Sequence, residues 1–321
     1  MSSSSEGRSK AHLAILELSA GGIANSIASF LLNPADVIKV RLQTQGTPSF
    51  PKTLYSSTLH AASQIIKDEG IFVLRSNSGL WFPGVGASMF RELSYSSFRF
   101  GLYSPVKQVL GTGDDLHGKI ISGGCSGAFG SFLAVPTDRL KIRLQREAGA
   151  VCYKTGLYTS GIFNGKNPTY PNNIFVAFKL MYITEGGVGG LWTGWQPTMA
   201  RAACLAAAQL SSYDHSKYLM KKHDILQDGT PLHIFSSLVA GVCTLIATQP
   251  LDTIKSRIMV SDGESGAYKG VLDCIGKTFK NDGMAGFYKG SLASYLRFGP
   301  HFVITFPLYE FVRKSLGLGY V

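Results

Sequence analysis

The segment LLNPADVIKVRLQ, residues 31–43, ends an apolar run with a proline and follows it at once with ordered charges. Pro34 removes a backbone donor and bends a helix, while Asp36 and Lys39 lie three apart on one face, with Arg41 and Gln43 beyond them. Residues 133–145, LAVPTDRLKIRLQ, and 247–259, ATQPLDTIKSRIM, repeat the order proline, acid, base, arginine. Pro34 to Pro136 is 102 residues and Pro136 to Pro250 is 114, each close to a third of the 321-residue chain. The constraint is strong: the chain folds as three copies of one unit, set here at residues 13–112, 113–227 and 228–321, after a polar, serine-rich tail, residues 1–12, expected to be disordered.

Each unit carries apolar stretches long enough to matter. There are 18 uncharged residues between Glu17 and Asp36, 18 between Lys119 and Asp138, and 23 between Asp228 and Asp252, and a bilayer span needs about 20. The mean hydropathy of +0.12 is low for a simple helical membrane protein, as expected where helices line a watery cavity and keep polar residues on their inner faces. After each proline motif come a short amphipathic pattern and an acid-glycine signal: EGIFVLRSNSG from Glu69, where Arg75 stands in place of the aromatic, EGGVGGLWTG from Glu185, and DGMAGFYKG from Asp282. A second hydrophobic segment follows in every unit. The expectation is an all-α membrane protein with six transmembrane helices from three tandem two-helix repeats, joined by short surface helices: odd helices near 13–43, 117–146 and 232–260, even ones near 80–108, 194–221 and 290–316. Residues 146–173 form an insertion rich in Gly, Asn, Ser and Tyr, expected to be a surface loop.

The even segments hold a second threefold pattern. Arg91, Arg201 and Arg297 each precede a tyrosine, Tyr103, Tyr213 and Tyr309, by twelve positions. Twelve helical residues rise about 18 Å, so tyrosines near one interface place the arginines near mid-membrane. Facing lipid there, an arginine costs roughly 2.5–3.5 kcal/mol or more, so the three face an interior. Three guanidinium forks converging there suit a small carboxylate or phosphate. The alternative is that each arginine pairs with a local acid and merely holds helices together, as Glu92 would allow beside Arg91.

The proline motifs then suggest a gate. Asp36 and Lys39 pairing within one helix would contribute only a few tenths of a kcal/mol. If the three bent helix ends meet on a threefold axis, Asp36 pairs with Lys141, Asp138 with Lys255 and Asp252 with Lys39, closing a ring. Gln43 and Gln145 lie one turn beyond the lysines and are placed to brace it, which Met259 cannot do. A second set follows the tyrosines: Asp214 with Lys217, Glu310 with Arg313, and Lys107 in the first unit, where Ser104 replaces the acid and leaves this gate one pair weaker.

Other function classes find little support. The net charge of +11 suits an anionic substrate or membrane face, and no compact basic tract with interleaved aromatics points to nucleic acid. Cys125, Cys152, Cys204, Cys243 and Cys274 have no metal-ligand spacing and imply neither a disulfide framework nor a zinc site. The seven histidines are scattered, with no nucleophile–histidine–acid set, metalloprotease motif or phosphate loop, so neither an enzyme nor a cofactor is expected.

The triple Pro-x-Asp-x-x-Lys-x-Arg motif, with DGMAGFYKG and YEFVR, resembles the mitochondrial carrier family over about residues 13–316. The resemblance implies a pseudo-threefold six-helix barrel in the mitochondrial inner membrane, working as a monomer with both termini in the intermembrane space. It implies that Arg91, Arg201 and Arg297 are substrate contacts, that the proline-motif ring is the matrix gate, and that the Tyr/Asp/Lys set is the cytoplasmic gate. It also implies cardiolipin at helix N-termini after the acid-glycine and Tyr288-Lys289-Gly290 type motifs. FRFGLY, VPTDRLKIRLQ, YKGVLDCIGKTF and LRFGPHFVITF are similar to the branch holding uncoupling proteins and the dicarboxylate and oxoglutarate carriers. In that branch the residue after the first contact arginine is commonly Gln, where this chain has Glu92. Exchange of small carboxylates, with phosphate or another anion as counter-substrate, is the function implied. Regulated proton leak and a degenerate carrier serving as membrane adaptor are the alternatives.

Overall fold

The computed structural model describes residues 2–47, 53–72, 79–111, 116–147, 149–152, 155–159, 165–170, 173–222, 230–261 and 268–317. These form eleven helices: α1 Ser2–Thr44, α2 Thr58–Glu69, α3 Val85–Leu110, α4 Leu116–Leu133, α5 Val135–Glu147, α6 Ile174–Thr184, α7 Gly187–Leu191, α8 Trp195–Lys222, α9 Thr230–Val260, α10 Val271–Phe287 and α11 Ser291–Ser315. Among the described residues there is no β-strand, only an isolated bridge between Val151 and Tyr158 inside the insertion. The long helices close a ring in chain order, α1 on α3, α3 on α4 and α5, α4 on α8, α8 on α9, α9 on α11, and α11 back on α1.

The expectation for the N-terminal segment needs correction. The segment expected to be a disordered tail continues α1 back to Ser2. Its residues are mostly tolerable in a helix, and adding turns to a helix already nucleated in the ring costs little beyond local propensity. Among the described residues no single helix is long and apolar enough to cross a membrane on its own, and only the bent pair Ile174–Thr184 with Gly187–Lys222 reaches that threshold together. The uncharged runs are rich in Gly, Ala and Ser, which lower hydropathy while allowing close helix approach. A Cβ added at Gly22 of α1, for example, would come within 2.7 Å of the Leu93 side chain on α3.

Each proline acts on its own helix. α1 and α9 carry Pro34 and Pro250 within them, and the second odd segment breaks between α4 and α5 just before Pro136. A proline has no N–H to donate to the carbonyl four residues earlier, so three carbonyls, of Phe30, Phe132 and Ile246, lose their helical partner. All three find an aromatic donor: Trp81 Nε1 donates to Phe30 O at 3.1 Å, Trp192 Nε1 to Phe132 O at 3.2 Å, and the Tyr288 hydroxyl to Ile246 O at 3.5 Å. This corrects the expectation that the first unit lacks the aromatic. Trp81 supplies it beyond Gly79, because the first unit is longer after its acid-glycine signal.

Three small cores surround the proline ends, each between an odd helix and its surface helix. Ile38 and Leu42 pack on Tyr55, Ala61 and Ile65, Leu140 on Ala177 and Met181, and Ile254 and Ile258 on Cys274 and Phe287. The cores sit where α2, α6 and α10 pack on α1, α5 and α9. The surface helices are locally specified: Ser57 caps α2 by accepting from His60 N, and Asn173 caps α6 by accepting from Phe175 N and Val176 N.

Trp192→Phe leaves the Phe132 carbonyl without its indole donor and is expected to destabilise the fold by about 1–3 kcal/mol. Thermal unfolding in detergent measures this, with Tyr288→Phe, whose bond is longer and more exposed, expected to cost less. An unchanged midpoint for Trp192→Phe would mean that the aromatic does not serve the orphaned carbonyl.

Candidate functional site

The bends bring α1, α5 and α9 together, and their charged faces meet inside the ring. Lys141 Nζ lies 2.6 Å from Asp36 Oδ2, Lys255 Nζ 2.6 Å from Asp138 Oδ2, and Lys39 Nζ 2.7 Å from Asp252 Oδ2. Every pair joins two different repeats, in the cyclic order that the triplicated motif requires for helix ends meeting on a threefold axis. All six side chains are buried. Buried ions lose several kcal/mol of hydration each, so such a ring persists only while every member keeps its partners.

The three arginines of the even helices reach this ring directly. Arg297 Nε lies 2.9 Å from Asp36 Oδ1, Arg91 Nε 2.7 Å from Asp138 Oδ1, and Arg201 Nε pairs with Asp252 Oδ1. Each aspartate therefore gives one oxygen to a lysine and the other to an arginine. The three arginines thus meet at the ring, and a local acid joins two of them: Glu92 Oε1 lies 2.5 Å from Arg91 Nη1 and 3.3 Å from Arg297 Nη2. Arg91 also stacks over the Tyr95 ring at 5.0 Å.

The glutamines do not brace the ion pairs as expected. Gln43 Oε1 accepts from the Ser256 hydroxyl at 2.8 Å, and Gln145 Nε2 donates to Asn33 Oδ1 at 2.9 Å. The lysines are already engaged, and the brace positions pack elsewhere. A Cβ added at Gly84, at the start of α3, would lie 3.0 Å from Gln145 Cγ, and one at Gly290, at the start of α11, 3.6 Å from Gln43 Cγ. Both glycines hold a left-handed backbone, which a side chain disfavours, and they let the even helices press onto the odd helix of the next repeat.

A second set of ion pairs was not joined from sequence. Arg41 makes a bidentate pair with Glu69 at 2.6 and 2.8 Å, Arg143 meets Glu185 at 2.8 Å, and Arg257 meets Asp282 at 2.5 Å. These link the last charge of each proline motif to the acid of the same unit's acid-glycine signal. Burial pushes the Asp282 carboxyl up, but hydrogen bonds from Lys289 and Arg257 outweigh it and hold the carboxyl below its ordinary range. The signal lay in the triplication itself, since both partners recur in every unit.

At the opposite end, the side chains of Tyr103, Lys107, Asp214 and Glu310 lie outside the described residues. Tyr213 and Lys217 are half-buried on α8, and Arg313 donates to the Tyr309 hydroxyl at 3.3 Å one turn away on α11.

Three consecutive segments, residues 11–114, 112–224 and 227–319, match the family model described as mitochondrial carrier protein. The chain is 37% identical over 306 residues to the mitochondrial substrate carrier family protein ucpB of Dictyostelium discoideum, covering 93% of this chain and 95% of the relative. It is 34% identical to a probable mitochondrial 2-oxoglutarate/malate carrier protein of the same organism, over 90% of this chain and 86% of the relative. It is 37% identical to mitochondrial uncoupling protein 1 of Arabidopsis thaliana, over 88% and 87%.

A double-mutant cycle on Asp138→Asn and Lys255→Gln tests the ring. Thermal unfolding is expected to give a coupling energy of about 1–3 kcal/mol. Additivity within about 0.3–0.5 kcal/mol would mean that the two side chains do not interact.

Proposed function

Because the chain belongs to the mitochondrial carrier family, we propose that it is a multi-pass inner-membrane carrier exchanging small dicarboxylates by alternating access, with both termini toward the intermembrane space. Arg91, Arg201 and Arg297 are the substrate contacts, and the ring of Asp36, Lys39, Asp138, Lys141, Asp252 and Lys255 is the matrix gate. The Tyr103, Tyr213 and Tyr309 region with Lys107, Asp214, Lys217, Glu310 and Arg313 is the cytoplasmic gate. Outward-facing Phe129, Leu238, Ile246 and Phe311 support the membrane setting, since a ring of helices with large exposed apolar side chains needs an apolar surround. Cardiolipin and other inner-membrane lipids are the expected partners of that surface, the working unit is a monomer, and no nucleic acid is involved.

The observation that carries the mechanism is the sharing of each gate aspartate between a lysine and an arginine. A carboxylate arriving at the arginines competes for the same guanidinium groups as the gate acids. As an arginine turns to the substrate, its aspartate keeps the lysine alone, and each inter-repeat contact of the ring loses part of its charge compensation. The substrate thus supplies the differential affinity that opens the gate, which no ligand equally bound to both states does. Relatives named uncoupling proteins favour a second reading, proton leak through the same site.

Proteoliposome exchange of labelled malate or 2-oxoglutarate against the same anions tests the proposal. Arg91→Ala, Arg201→Ala and Arg297→Ala are each expected to abolish exchange while leaving an inserted, folded protein. Near-normal exchange by any one variant would remove that arginine from the site. Proton conductance without anion exchange in the unsubstituted protein would favour the uncoupling alternative.

A further inference from the structure

Glu92 breaks the threefold pattern of the site. The positions following the other two contact arginines are Ala202 and Phe298, so only the first repeat adds a carboxylate there. That carboxylate is buried, and its Oε1 alone faces two of the three arginines, Arg91 on its own helix and Arg297 on α11. Arg201 pairs only with Asp252 among the described residues. The centre is therefore lopsided: two arginines share an internal carboxylate, while the third has only its gate acid.

The charge of the cluster follows from its members. Three lysines and three arginines stand against three aspartates and Glu92, leaving an excess of two positive charges. With a neutral side chain at residue 92 the excess would be three. Resting on the carrier function above, we propose that Glu92 is a specificity-determining residue that sets the charge of the transported anion at two. An uncompensated charge in a site closed from water is costly, and the cost rises as the local dielectric falls. A dicarboxylate dianion brings this cluster to neutrality. A tricarboxylate trianion leaves one negative charge over, held near the Glu92 carboxylate, and a monocarboxylate leaves one positive charge. His301, one turn beyond Arg297, has its Nδ1 3.3 Å from the Thr305 hydroxyl, and assay at about pH 7.5 keeps an ordinary imidazole neutral so that it does not enter the count.

Three anions on a related short backbone separate charge from shape: monomethyl glutarate, glutarate and tricarballylate, carrying one, two and three negative charges. The protein and its Glu92→Gln and Glu92→Asp variants are reconstituted in liposomes and uptake of each labelled anion is measured at fixed pH. Glutarate is expected to be preferred by the unsubstituted protein and by Glu92→Asp. Glu92→Gln, nearly isosteric, should raise the ratio of tricarballylate to glutarate uptake by about tenfold, the scale of one nearby charge at intermediate dielectric. An unchanged ratio, or an equal fall for all three anions, would overturn the proposal and leave Glu92 as a tie between α3 and α11. If Glu92→Gln does not fold, thermal stabilisation of the unsubstituted protein by the three anions decides: glutarate should raise the midpoint most, and tricarballylate equalling or exceeding it would overturn the proposal. Absence of exchange and stabilisation by all three anions would instead sink the dicarboxylate function itself.

Discussion

The site depends on three aspartates that each face two cations. Oδ2 of Asp36, Asp138 and Asp252 takes a lysine from another repeat, and Oδ1 takes an arginine from an even helix. A buried carboxylate with a single cation is marginal, because hydration lost on both partners offsets most of the attraction. A second cation on the free oxygen shifts that balance toward the paired state. The price is dependence: whatever draws the arginine away weakens the lysine contact as well. On the carrier function proposed above, closure of the ring and occupation of the arginines by a substrate are one equilibrium.

The prolines make this arrangement reachable. Without the bends, three odd helices would have no reason to bring their charged faces together at one end. The bends orphan three carbonyls, and Trp81, Trp192 and Tyr288 supply donors to them, so the motif aromatics are tied to the prolines of their own units. Sequence shows why this was hard to see. From acid to aromatic the spacing is 12 residues in the first unit, 7 in the second and 6 in the third, so the first aromatic lies beyond the window that the other two define.

Triplication made the order of the ring legible, because one motif repeated three times around an axis admits few ways to pair its charges. The even-helix arginines were legible as an inward-facing set for the same reason. Their attachment to the ring aspartates was not, since it depends on how far the helices tilt toward one another. The glutamines were misread because an amide can donate or accept almost anywhere, and local packing against Gly84 and Gly290 chose Asn33 and Ser256. The pairs of Arg41, Arg143 and Arg257 were missed because loop length varies: 28, 42 and 25 residues separate them from Glu69, Glu185 and Asp282.

Those missed pairs complete the division of labour. Arg41–Glu69, Arg143–Glu185 and Arg257–Asp282 each lie within a single repeat and fasten an odd helix to its own surface segment. The ring pairs all run between repeats. Two of the outer arginines also reach neighbouring repeats through neutral acceptors: Arg143 Nε donates to the Met259 carbonyl and Arg257 Nε to the Gln43 carbonyl, both at 3.1 Å. A hydrogen bond to a neutral helix-end carbonyl is exchanged for water at less cost than a buried ion pair is broken. The outer ion pairs therefore fasten each repeat internally, whereas the ion pairs across repeats belong to the inner ring and its arginines, beside carbonyl bonds, side-chain hydrogen bonds such as Gln43–Ser256 and Gln145–Asn33, and apolar packing. Motion that opens the ring can pass through the boundaries between repeats while the interior of each stays paired.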